Sequence, residues 1–304
     1  MTGLELSRAY YKEFGLPMLE KEFGDKLDRI ATGLVGHGSE CFGFDDEISK
    51  DHDFEPGFCI WLTDEDEKDF GFKLFRAYSK LPSEYEGIKL QSSSVYGNKH
   101  KGVHTISEFY SFYLGPRGLP KTNEEWLMIP ENYLAEATNG EVFSDPLGEF
   151  TKIRDAILNG VPEDVWFKRL ASSIFGMAQK GQYNYKRCLL HGEKGAAVLA
   201  FDEYCRELMS FVFCINRVHM PYYKWALRAM RDLKVMGDLS DEIETNLIAP
   251  LDASDFIEKI SSKVITYLSE NYGIKDHGDY LEGYSYAVND LIKDGNLRIS
   301  PVIL

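Results

Sequence analysis

Residues 33 to 62 leave this chain little choice of local structure. Gly33-Leu34-Val35-Gly36 is short and apolar, and with Gly38 and Ser39 it supplies the small residues that let a strand turn sharply and present backbone N–H groups to an anion. After a loop rich in glycine and acid, Asp51 and Asp53 lead into Phe58-Cys59-Ile60-Trp61-Leu62, an apolar run that reads as a buried strand. The order is strand, glycine turn, loop, acidic pair, strand. Alternation at period two puts Asp51 and Asp53 on one face, where a single divalent ion can touch both, and turns His52 to the other as a structural residue. Magnesium takes hard oxygen ligands and keeps room for substrate phosphates, so it suits such a pair. There it would screen charge developing on a transferring phosphorus while the glycine turn holds a polyphosphate in line.

Acidic pairs are common in a chain with 49 Asp and Glu residues among 304, so each needs its own reading. Asp64-Glu65-Asp66 reads as a solvated loop, and Asp45, Asp46 and Glu47 read either as capping or lining the loop beneath the phosphates or, more commonly for three adjacent acids, as solvent-facing. Ser49 suits a bond to the backbone of its turn.

The Gly38-Ser39 and Asp51-x-Asp53 pattern resembles the nucleotidyltransferase superfamily of the polymerase-beta type, in which Gly-Ser opens a helix and Asp-x-Asp lies in the next strand. The runs GSECFGFDDEISKDHDFEPGF, NYKRCLLHGE and NRVHMPYYKW are more closely similar to a bacterial group, the domain of unknown function 4037 family, over residues 4 to 300 or so. The resemblance implies a magnesium-dependent nucleotidyltransferase that moves AMP from ATP to a hydroxyl of a small molecule. It equally fits a non-catalytic nucleotide-binding or sensing protein that retains the fold. It also implies a third carboxylate on a later strand, as a metal ligand or as the base for the attacking hydroxyl. His104 in the short strand Gly102 to Ile106, Glu108, Glu136 and Asp145 are the open candidates.

The expected fold is α+β: a small mixed-sheet nucleotidyltransferase domain over 1–120, then a mostly helical domain over 121–304. Gly115-Pro116-Arg117-Gly118-Leu119-Pro120 punctuates the two. Leu19, Phe23, Leu27 and Ile30 carry helical spacing after Pro17. Beyond residue 120 the patterns predict helices over 123–138, 148–159, 162–180, 195–218, 222–232, 254–271 and 279–294. The 254–271 helix stripes Ile257, Ile260, Val264 and Leu268; the last helix has Asp279 and Glu282 at capping-box spacing and Gly295 at its end. The helical part also holds basic and planar groups unlike the rest of the chain: Asn184, Tyr185 and Arg187, then Asn216, Tyr222, Tyr223, Lys224 and Trp225. Arg187 and Lys224 suit phosphate charge, and Asn184 and Tyr222 suit the rest of a nucleotide.

Five cysteines (Cys41, Cys59, Cys188, Cys205, Cys214) without Cys-x-x-Cys spacing point to free thiols, not to disulfides or zinc. No stretch of eighteen apolar residues and no leader pattern is seen, so a cytoplasmic protein without a membrane segment is expected. A net charge of −15 disfavours long nucleic acid as a partner, because such binders neutralise phosphates with clustered Lys and Arg. The same field attracts a cationic small molecule.

Overall fold

The computed structural model describes residues 1–46, 48, 55–89, 101–248 and 252–304. Six short strands lie in the first half: β1 (Ala31–Leu34), β2 (Cys59–Leu62), β3 (Glu84–Tyr85), β4 (Ile88–Lys89), β5 (Gly102–Thr105) and β6 (Glu141–Ser144). The helices up to β6 are α1 (Gly3–Tyr10), α2 (Leu16–Phe23), α3 (Ser39–Phe42), α4 (Asp64–Asp66), α5 (Phe72–Tyr78), α6 (Ile106–Leu114), α7 (Asn123–Leu127) and α8 (Glu131–Thr138). After it come α9 (Glu149–Asn159), α10 (Glu163–Met177), α11 (Lys186–Leu190), α12 (Lys194–Ile215) and α13 (Tyr223–Met230). The last are α14 (Leu239–Ile248), α15 (Ser254–Tyr272), α16 (Leu281–Asn289) and α17 (Gly295–Ile299). The chain is thus α+β, a small mixed sheet near the N-terminus followed by a mostly helical region. Its contacts divide it into two units, Met1–Pro120 with Tyr133–Gly160, and Lys121–Asn132 with Val161–Leu304.

In the first unit the four-stranded sheet runs β5-β2-β1-β6, with β1 antiparallel to both neighbours and β2 parallel to β5. Every residue of β1 and β2 is buried, which is why β2 reads as an unbroken apolar run and not as an alternation. Phe58, Ile60 and Leu62 meet Leu19 and Phe23 of α2 and Leu74 of α5 in one cluster. Trp61 points the other way and stacks on Phe150 of α9, with ring centroids 3.9 Å apart. Gly33 has no room for a side chain, since an added Cβ would overlap the Glu141 carbonyl oxygen on β6. The N-terminal periodicity is realised in two helices: Pro17 stands in the first turn of α2, and Leu27 falls in a 3-10 turn, Gly24–Arg29.

Asp64-Glu65-Asp66 is not the solvated loop expected from its composition. Thr63 caps it as a helical turn, and Asp66 is buried against Arg29, whose Nε donates to Oδ1 at 2.6 Å and whose Nη2 donates to Oδ2 at 3.1 Å. Asp45 likewise is not merely solvated: its carboxylate accepts the Gly3 N–H at 2.7 Å, at the start of α1.

The second unit is built on α10 and α12, which share a core with α15 and α16. The stripe Ile257, Ile260, Val264 and Leu268 is buried as expected, and α15 ends on Gly273 at φ 65°. The expected 123–138 helix is instead two, α7 and α8, because Pro130 lacks an N–H and pushes its predecessor out of helical geometry. The expected 279–294 helix is shorter. Tyr280 takes the N-cap position, the Asp279 carbonyl accepts from Gln182, and Gly295 begins α17 under the cap of Asp294. Lys168 on α10 is fully buried and donates to three neutral oxygens: Asn289 Oδ1 at 2.9 Å, Leu297 O at 2.9 Å and Ser300 O at 3.0 Å. Among the described residues no helix is long and apolar enough to cross a membrane.

Candidate functional site

The glycine turn leaves the end of β1 and enters α3. Gly36 and Gly38 have φ of 124° and 115°, values that side chains rarely adopt, and Gly38 is the N-cap of α3 with Ser39 its first residue. Space is also closed: a Cβ on Gly36 would lie 2.9 Å from the Tyr113 hydroxyl, and one on Gly38 would lie 2.6 Å from Glu40 Oε2. The backbone is held from the α8–β6 connection. Asn139 Oδ1 accepts the Gly36 N–H at 2.8 Å, its Nδ2 donates to the Gly36 carbonyl at 2.8 Å, and Gly140 N–H donates to Cys41 O at 2.7 Å. Arg154 supports this clamp from α9, donating to Asn139 O at 2.7 Å. Asn139, Gly140 and Arg154 were not singled out from the sequence; the Asn-Gly dipeptide is the one local signal of a turn there.

Two buried carboxylates flank the turn. Glu40 faces Lys101 Nζ at 3.6 Å, and Glu136 lies 3.5 Å from Nδ1 of His37, whose ring is exposed. The Lys101 side chain is itself 7% exposed and also donates to the Glu55 carbonyl at 2.8 Å, so one ammonium joins Glu40 of α3 to Glu55 ahead of β2. Its stem lies against Gly57, where a Cβ would come within 3.2 Å of Cδ. Nothing local in the sequence marks Lys101.

Asp51 and Asp53, with Glu47, Ser49 and His52, lie outside the described residues. Among the described residues no three His, Cys, Asp or Glu side chains gather as an ion site. Near the turn, the carboxylates of Glu40 and Glu136 face Lys101 and His37.

The four candidates for a further acid or base have distinct settings. Glu108 closes a capping box with Thr105, accepting its N–H at 3.2 Å. Asp145 accepts from Gly148 N at 3.1 Å and Thr151 N at 2.8 Å, which shapes the entry to α9. His104 stands half-buried on β5 opposite Trp61. Glu136 is the one whose carboxylate meets the glycine turn, through His37.

The basic and aromatic cluster of the second unit is spread over several elements. Asn184 is exposed on the π-helical segment Ala178–Tyr185, and exposed Arg187 on α11 lies over the Tyr183 ring at 5.3 Å. Tyr222 precedes α13 with its ring 4.5 Å from that of Tyr223, and Lys224 lies 5.0 Å from the Trp225 ring. Two other members are struts. Tyr185 accepts Ala253 N–H at 2.9 Å, and the Asn216 side chain exchanges bonds with Val235 N and O.

All five cysteines are free thiols, and burial pushes Cys59 and Cys214 up to about 12, which makes both poor nucleophiles.

Residues 126–226 match the family model of a domain of unknown function, DUF4037. The match holds NYKRCLLHGE and NRVHMPYYKW, and with them Asn184, Arg187, Tyr222 and Lys224, whereas Gly38, Ser39, Asp51 and Asp53 precede it. No curated protein and no solved structure matches the chain.

Proposed function

We propose that the chain is a magnesium-dependent nucleotidyltransferase, moving AMP from ATP to a hydroxyl of a small molecule in the cytoplasm. Gly38 and Ser39 hold the polyphosphate, and Asp51 and Asp53 would hold the ion. The acceptor oxygen bonds the α-phosphorus as the bond to pyrophosphate breaks, and the hydroxyl proton leaves to a base. When bound, magnesium would screen the charge developing on the phosphorus and on the departing pyrophosphate. The observation that supports this reading most is the glycine turn, with Gly36 at positive φ and clamped by Asn139, Gly38 at positive φ as the N-cap of α3, and Lys101 meeting both Glu40 of α3 and the Glu55 carbonyl.

A non-catalytic nucleotide sensor is the second reading. It draws on the further acids: Glu108 and Asp145 are engaged in caps. Incubation with magnesium and labelled ATP, with and without a panel of hydroxylated metabolites, separates the two. Acceptor-dependent pyrophosphate release that disappears in Asp51→Asn and Asp53→Asn supports transfer. ATP binding that needs both aspartates, yet yields no pyrophosphate with any acceptor, supports the sensor.

A further inference from the structure

A cavity of about 260 Å³ lies within the second unit, between α10, α12 and residues 127–131, and it owes nothing to the glycine turn. Trp166, Phe213 and Met220 give it apolar walls; Ser172, Glu207 and Ser210 give it a polar one. Leu304 apart, every residue that lines it falls inside the 126–226 segment of the family match.

Two charged residues of the lining are already committed to each other. Arg169 forms an ion pair with Glu131 through Nη1, and its Nη2 donates to Trp126 O at 3.1 Å and Ile129 O at 3.4 Å. The other Glu131 oxygen, Oε2, lies 3.0 Å from His219 Nδ1. A guanidinium whose terminal nitrogens face protein oxygens is a poor grip for an anion, so the cavity does not select phosphate or carboxylate ligands. Glu207 differs. It keeps a half-buried carboxylate on the wall, and only its Oε1 meets Lys180, at 2.6 Å, from outside the lining. Burial raises its carboxyl despite that lysine, a cost that a second cation would offset.

We propose that this cavity binds a small hydroxylated amine, with the ammonium on Glu207, hydroxyls on Ser172 and Ser210, and the carbon frame against Trp166 and Phe213. Ligand clefts begin at about 300 Å³, which limits the occupant to roughly a monosaccharide. The chain's net charge of −15 raises the local concentration of such a cation.

Calorimetric titration of the full chain with glucosamine, glucose and glucose 6-phosphate tests this, since the three share one ring and differ in charge. Glucosamine is expected to bind at least about tenfold more tightly than glucose, with glucose 6-phosphate no better than glucose. Glu207→Gln and Ser210→Leu should each weaken glucosamine by a similar factor; the second fills the cavity with a good helix former and keeps the test open if the first fails to fold. Equal affinity for glucose and glucosamine, no heat from glucosamine, or unchanged binding in Ser210→Leu would overturn the proposal.

Discussion

Asn139 holds Gly36 by both of its backbone groups, accepting from its N–H and donating to its carbonyl, each at 2.8 Å, across 103 positions of sequence. The clamp fixes a glycine at φ 124°, a conformation that a flexible loop would otherwise leave freely. Asn139→Ala removes both bonds and leaves two backbone groups without them, at a cost of about 2 to 3 kcal/mol. A urea melt should show that loss. Asn139→Asp, which keeps the acceptor and sets a carboxylate against the Gly36 carbonyl, should lose about as much.

Gly140 and Gly148 both have positive φ, 62° and 71°, yet differ in their surroundings. A Cβ on Gly140 would overlap the Leu34 carbonyl oxygen, whereas one on Gly148 meets nothing within 4 Å. Gly148→Ala should therefore cost only the left-handed penalty, about 1 to 2 kcal/mol, and Gly140→Ala about 3 kcal/mol or more. Equal losses in thermal melts would mean that the close approach to β1 is not maintained in solution.

The Asp66–Arg29 pair predicts a pH dependence. Burial works against the Asp66 carboxylate, but bonds from Arg29 and Thr63 outweigh it and hold its carboxyl below the usual range. A carboxylate depressed in the folded state contributes its stability above the unfolded value, and loses it as pH falls through the folded one. Arg29 is 36% exposed, so solvent screens the pair, and Asp66→Asn should cost about 1 to 2 kcal/mol at pH 7. The difference between the two proteins should close below the ordinary carboxylate range, as denaturation midpoints taken across acid pH would record.

Lys168→Met removes the ammonium and takes that donor from Asn289 Oδ1, Ser300 O and Leu297 O, the last of which keeps the Ser300 hydroxyl. The expected loss is about 3 kcal/mol. Because those oxygens belong to α16 and the end of α17, hydrogen exchange should accelerate first over residues 289–300.

The strands and helical stripes were legible because each is a local pattern. Phe58 to Leu62 is a buried strand, and Ile257 to Leu268 a buried stripe, for reasons contained in their own spacing. The α7–α8 break was also written locally, in Pro130, but the amphipathic pattern on either side of it reads through. Asp66 and Gly295 mislead because composition and position fit two roles; Arg29 decides the first from 37 positions away, and the cap that Asp294 places on α17 decides the second from the adjacent position. At the site, the two glycines signal a turn, but Asn139 and Lys101 become visible only when distant segments meet. The basic and aromatic residues show the converse: adjacency in sequence put Tyr185 beside Arg187, while the fold uses the former as a strut and exposes the latter.

The clamp on the glycine turn works entirely through main-chain atoms of Gly36 and Cys41, contacted by the Asn139 amide and the Gly140 N–H. Shape and motif are thus encoded in different places: residues 139 and 140 hold the backbone of the loop, and residues 36 to 39 carry the motif. Substitutions at 37 or 39 leave the clamping bonds in place, whereas drift at 139 or 140 would alter the loop's geometry while every residue of the motif stayed the same.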